Sequence, residues 1–233
     1  MKPAKAFIIM MKDNAISEEY AKVCAESCEK NNTPWEYIEW YDGNREDVKP
    51  MQTWKSIGIP ISNIDTFRPK RSPAQCATSG HAMAWKKVMD SGEPAIIFEH
   101  DAILLHKIDI DIPDGMMVTL GYKLENPQEY NHKQAGAPTE IINVKGNGHE
   151  GAHAYAITHN TARSLLKELE ERGIPGAIDN THFLKTREKH TKIPLKIMSP
   201  TPAMGWLRQS TIWKKSAAKN YEFIESFQAH YKK

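Results

Sequence analysis

Short apolar runs alternate with amphipathic stretches along most of this chain, and that alternation predicts its elements. "AFIIMM" (6–11) is a β-rich apolar run, expected to be the first and central strand. Ser17 then stands before Glu18 and Glu19, an N-cap followed by acids suited to the positive end of a helix. Ile16, Tyr20, Val23, Cys24 and Cys28 supply the apolar face of that helix, which ends at Asn31 and Asn32. "WEYIEW" (35–40) is the next strand, closed by the turn "YDGN". Strand, helix and strand in close succession form a βαβ unit, which implies parallel pairing and a right-handed crossover.

Residues 43–75 carry Gly43, Pro50, Gly58, Pro60, Pro69 and Pro73 without sustained periodicity, and they read as an irregular, functional loop region. A helix is expected from Ala77 to Asp90, with Ala84, Trp85, Val88 and Met89 on its apolar side. "SGEP" breaks it and "AIIF" follows as a strand. "MMVTLGY" (116–122) and "AYAIT" (154–158) read as strands, and "NTARSLLKELEER" as an amphipathic helix stopped by Gly173. A further helix is expected from Asp179 to His190, then a short strand "PLKIM". No internal repeat or linker interrupts this order, so the expectation is a single α/β domain with a mainly parallel central sheet flanked by helices.

Composition narrows the class. The chain has 233 residues, 40% hydrophobic, enough to bury a sizeable core in one domain. A formal charge of +2 gives no field for nucleic acid, and none is expected as a partner. The N-terminal apolar run is too short for a signal-peptide core, and no window has the apolar length of a membrane span. Cys24, Cys28 and Cys76 are an odd set, the first two a helical turn apart, and read as reduced thiols. The expectation is a cytoplasmic protein without a membrane span.

The chemistry concentrates at "SGEPAIIFEHDAIL" (91–104), where a buried strand ends in Glu99, His100 and Asp101. Strand alternation points Glu99 and Asp101 one way and His100 the other. Two carboxylates beyond the carboxyl end of a parallel strand lie where open α/β sheets bind ligands. Close carboxylates repel unless a proton or cation sits between them, and a hard divalent ion such as Mg²⁺ or Mn²⁺ answers that need. An exposed acidic turn beside Lys107 is the plain alternative.

The surroundings extend this pattern. "GHAMAWKKVMDSGEPAIIFEHDAIL" resembles glycosyltransferase family 25, which includes lipopolysaccharide-biosynthesis and procollagen galactosyltransferases. His81, Trp85, Gly92, Pro94, Glu99 and Asp101 match the family's layout. "GAHAYAITHNTARSLL" (151–166) and "IPGAIDNTHF" (174–183) resemble two later family segments, and "RQSTI" (208–212) resembles its tail. The chain departs from the pattern at His100, where the family has an acid, and at Gly80, where it has serine.

The resemblance implies a GT-A-like, Rossmann-like domain over 1–212, with 213–233 a basic helical or flexible tail. It implies a nucleotide-sugar donor such as a UDP-hexose (galactose or glucose), a glycan or other hydroxyl acceptor, an inverting transfer, and Mn²⁺ or Mg²⁺ gripping the diphosphate. Asp101 is then the first metal ligand, with Glu99 on the metal or the ribose and His100 a third candidate that would favour Mn²⁺. Asp179 matches the family's late aspartate and is a candidate base, or only the N-cap of its helix. Asp42 is a candidate for the nucleoside, or only a turn aspartate. His81 and His153 are candidate donor-facing residues, or packed structural histidines. A non-catalytic domain of the same fold, binding a nucleotide, a glycan or a partner, is the alternative to an enzyme.

"HEGAH" (149–153) formally matches the zinc-protease signature HExxH, which needs both histidines one turn apart on a helix. Its flanks are a glycine loop and a strand, and Gly151 weakens a helix further. The zinc reading is therefore set aside. No "GxGxxG" or phosphate-loop lysine occurs.

Overall fold

The computed structural model describes residues 1–63, 67, 72–122, 138–144, 152–174, 176–183 and 185–205. β1 (Lys5–Met11), α1 (Ala15–Lys30) and β2 (Trp35–Trp40) form the expected βαβ unit. The two strands pair in parallel from Ala6 opposite Trp35 to Met11 opposite Trp40.

The cap of α1 differs from expectation. Asn14 has the extended backbone of a cap and accepts a hydrogen bond from the Ser17 amide. Ser17 lies buried within the first turn, where its hydroxyl accepts from the Met11 amide at 2.8 Å. That bond ties the helix start to the carboxyl end of β1. Tyr20, Cys24 and Cys28 are buried as expected, whereas Ile16 is exposed, and Ala21 and Ala25 complete the inward face. All three cysteines are free thiols.

From β2 the chain passes through α2 (Pro50–Lys55), a short helix inside the stretch expected to be irregular, to α3 (Ser72–Ser91). It then enters β3 (Ala95–Glu99), which lies on the other side of β1, again parallel, with Ile9 opposite Glu99. Alternation along β1 and β3 divides the core between two faces. Ala6, Ile8, Ile96 and Phe98 pack with Ala21, Cys24 and Cys28 of α1. Phe7, Ile9 and Ile97 pack with Ala82, Trp85 and Val88 of α3. The helices of the two connections thus lie on opposite faces of the sheet, which makes the carboxyl ends of β1 and β3 the switch point where folds of this kind place a ligand crevice.

The remaining elements are β4 (Ala102–Leu104), β5 (Met117–Thr119), β6 (Gly121–Tyr122), β7 (Glu140–Asn143), β8 (Ala154–Ile157), α4 (His159–Arg172), β9 (Leu195–Ser199) and β10 (Ala203–Gly205). The large sheet has the order β2-β1-β3-β8-β5-β9-β7, and a small one the order β4-β10-β6. Five of the seven strands share a direction, while β8 and β7 run against their neighbours. This is the expected α/β architecture with a mixed sheet. α4 is capped by Thr158, whose side chain accepts from the Thr161 amide, and it ends at Gly173 with φ of 80°.

Two expected elements take another form. "MMVTLGY" splits at Leu120, so that β5 stays in the large sheet and β6 joins the small one. The helix expected from Asp179 to His190 is instead a π-helical turn, Asp179–Phe183, and a 3₁₀ turn, Lys185–Lys189. Buried Thr181, His182 and Phe183 hold the first of these against the core rather than presenting one amphipathic stripe. The start of "HEGAH", the segment "RQSTI" and the tail 213–233 lie outside the described residues.

Candidate functional site

Several of the sequence-predicted residues lie around the carboxyl end of β3. Glu99 is the last residue of β3, half-buried, and turns toward α3. There its Oε1 lies 3.1 Å from Nε2 of His81, which is 1% exposed. The other ring nitrogen of His81, Nδ1, is 2.9 Å from the Tyr155 hydroxyl on β8. That hydroxyl also accepts the indole N–H of Trp85 at 2.7 Å. His81 and Trp85 are four residues apart on α3, one turn, so both reach the same phenol. Burial pushes the His81 pKa down to about 4, with Asp179 pulling weakly the other way, so the imidazole is neutral. His182, packed on Trp85 at 5.3 Å between ring centroids, is pushed down to about 3, chiefly by burial.

Asp101 follows in the turn after β3 and is 8% exposed. Its Oδ1 is buried with no hydrogen-bond partner among the described residues. Burial raises its pKa to about 6, with His100 opposing the shift and the charges of Glu99 and Asp179 adding to it. A buried carboxyl with an orphaned oxygen, repelled by a second carboxylate, suits a hard divalent cation that takes its other ligands from water and substrate. Among the described residues no three His, Cys, Asp or Glu side chains form a ready-made metal cage. His100 also lies in the turn after β3, its ring 6.0 Å from that of Tyr20 on α1.

Asp179 opens the π-helical turn, and its Oδ1 accepts the Ala152 amide at 2.6 Å. It thus faces the start of β8 rather than capping a regular helix. The segment leading to it is held by α3, where the Gln75 amide donates to the Ile174 carbonyl at 2.8 Å and the Thr78 hydroxyl to Gly176 at 2.7 Å. His153 lies beside Glu99 through the backbone, its carbonyl accepting the Glu99 amide at 2.9 Å. Its buried ring is seated against the backbone of Gly121 on β6 and Gly205 on β10.

Asp42 belongs to a neighbouring cleft of about 540 Å³ at the carboxyl ends of β1 and β2, where Lys12, Trp40, Tyr41 and Arg45 also line the wall. Its carboxylate accepts from the Asn14 side chain and from the amide and side chain of Asn44, each at 2.9 Å. Trp40 of this cleft is anchored on α3. Its indole N–H is shared between Ser79 Oγ at 2.9 Å and the Cys76 carbonyl at 3.1 Å. Gly80 lies directly behind it, and a Cβ there would stand 3.0 Å from Trp40 and 3.2 Å from Ile9. A side chain here, where the resembled family carries serine, would press on both.

The structure thus brings together His81, Glu99, Asp101 and Asp179 in one electrostatic neighbourhood, places His153 beside it, and sets Asp42 in the adjoining cleft. Sequence reading missed Tyr155 and His182. The signal for Tyr155 was faint: one polar phenol inside the apolar run "AYAI", which becomes meaningful only when α3 is laid across it.

No protein-family model matches the chain, and no curated protein matches it. Among solved structures, it superposes on one described as a glycosyltransferase involved in the glycosylation of the major capsid of PBCV-1. That match has a TM-score of 0.44 and 9% identity, covering 95% of this chain and 99% of the other. A second is the apo form of mouse xyloside xylosyltransferase 1, with a TM-score of 0.37 and 8% identity over 84% of each chain. At these scores neither superposition carries a conclusion about chemistry. No helix among the described residues is long and apolar enough to cross a membrane.

Proposed function

We propose that this protein is a GT-A-like, metal-dependent glycosyltransferase that moves a hexose from a nucleoside-diphosphate sugar, such as a UDP-hexose, to a hydroxyl acceptor on a glycan, with inversion. The observation that carries the reading is the pair Glu99 and Asp101 at the crevice between β1 and β3, one carboxyl pinned by His81 and the other buried with an orphaned oxygen. The likeness of residues 76–212 to family 25 supports it independently of the geometry.

Glu99 and Asp101 would hold Mn²⁺ or Mg²⁺, which as a Lewis acid stabilises the departing diphosphate. His100, turned to Tyr20, is left out of this pair. The Asp42 cleft takes the nucleoside, its volume being suited to a small-molecule ligand. Asp179 receives the acceptor hydroxyl's proton, the task an inverting displacement requires of a base. His153, wedged between two glycines, fixes the backbone from which the Glu99 amide hangs.

Thermal unfolding with UDP, Mn²⁺, both or neither tests the reading. The two ligands together should raise Tm more than the sum of each alone, and Asp101→Asn should abolish that synergy. Release of UDP from UDP-hexoses in the same samples separates turnover from binding. Synergy without turnover would indicate a binding domain, and the absence of synergy would defeat the metal–diphosphate assignment.

A further inference from the structure

The hydrogen-bond chain Trp85–Tyr155–His81–Glu99 has a direction that follows from its chemistry. An indole N–H only donates, so the Tyr155 oxygen accepts from Trp85. The phenol has one proton left to give, and the atom facing it is Nδ1 of His81 at 2.9 Å. Nδ1 therefore accepts, and a neutral imidazole that accepts at Nδ1 carries its proton on Nε2. Nε2 faces Oε1 of Glu99 at 3.1 Å. Trp85, Tyr155 and His81 are buried in the core, whereas Glu99 is half-buried at the crevice.

We propose that Trp85 and Tyr155 are positioning residues that set the proton of His81 on Nε2 from within the core, so that Glu99 always meets a donor. The carboxylate of Glu99 could by itself attract that proton. The arrangement goes further, because the Trp85 N–H fills one acceptor site of the phenol oxygen, and the phenol's own buried proton then needs Nδ1 of His81 as its acceptor. Glu99 is then held in one orientation whether or not a cation stands before it. Of the other groups around the imidazole, His182 across Trp85 is itself held neutral by burial, whereas the charge of Asp179 favours a charged ring and is outweighed by the burial of His81. The consequence for a metal site rests on the proposed function; the proton's position does not.

Nitrogen-15 spectra of the histidine rings in the unliganded protein provide the test, with the His81 signals assigned by their loss in His81→Gln. Wild type should show one tautomer at His81, protonated on Nε2. Glu99→Gln should keep that tautomer, because the inner arm still demands an acceptor at Nδ1. Adding Trp85→Phe or Tyr155→Phe to Glu99→Gln should lower the ratio of Nε2–H to Nδ1–H by about fivefold, the worth of one neutral hydrogen bond. Two separate double variants guard against one failing to fold. A wild-type ring protonated on Nδ1 would overturn the proposal, as would scrambling of the tautomer by Glu99→Gln alone. So would an unchanged ratio in the double variants. None of these spectra involves metal or nucleotide, so they stand or fall apart from the glycosyltransferase reading.

Discussion

Gly121 and His153 occupy the same space as nearly as two residues can, for a Cβ at position 121 would stand 2.1 Å from Nε2 of the imidazole. No side chain fits there while His153 keeps its place. Gly121→Ala should therefore destabilise the fold by about 2 kcal/mol through overpacking. His153→Ala in the same chain should recover much of the loss, because the obstruction is gone. A double-mutant cycle by urea unfolding measures this, and additive costs would show that the two residues do not compete.

The pH dependence of stability should carry the mark of Asp101. Its folded pKa of about 6 lies above its ordinary value of 3.8, so folding takes up a proton between these limits. The stability linked to this group is complete below pH 3.8 and is lost as pH rises through 6. The full loss is roughly 3 kcal/mol. Urea unfolding of metal-free protein from pH 4 to 8 should show wild type falling relative to Asp101→Asn. Parallel curves for the two would contradict a buried carboxyl at this position.

Asp179 joins two roles that substitution can separate. Asp179→Asn keeps an oxygen for the Ala152 amide, whereas Asp179→Ala leaves that donor without its acceptor. The alanine variant should lose about 1–3 kcal/mol and the asparagine variant much less. If Asp179 is the base, both should lose turnover by about 10²–10⁴-fold. An asparagine variant with wild-type turnover would leave Asp179 only its structural bond.

Asp42 should matter to the nucleotide and to α1 together. Its Oδ2 accepts from Asn14, the residue that caps the helix. Asp42→Ala should weaken UDP binding and lower stability by up to about 1 kcal/mol through the loosened cap. Calorimetric titration and thermal unfolding read the two effects. Unaltered UDP affinity would move the nucleoside out of this cleft.

The elements that periodicity exposes were readable, and those that depend on a partner were not. β1, β2, β3, α3 and α4 each carry a long apolar run or stripe, so their presence follows from the residues alone. α3 begins five residues earlier than expected, at Ser72 instead of Ala77, because Gln75 and Thr78 find carbonyls on a segment about a hundred residues away. The antiparallel insertion of β8 between β3 and β5 has no local signature, since a strand buried on both faces looks the same in either direction. Asn14 outcompeted Ser17 as the cap because Ser17 had a better use, accepting the last amide of β1. The acids of the site were legible as a cluster at a strand end. The phenol that organises His81 was not, because Tyr155 and His81 meet only through the tertiary fold.

The reversed strand β8 also has a bearing on how the protein is assembled. It brings Tyr155 to a histidine 74 positions earlier and seats His153 next to the end of β3. A nascent chain that has emerged only through β4 already contains His81, Glu99 and Asp101, yet nothing in it supplies the Tyr155 phenol. The acidic pair thus gains its supporting partners only when a much later strand slots into the middle of the sheet, which makes completion of the fold and completion of the site one event.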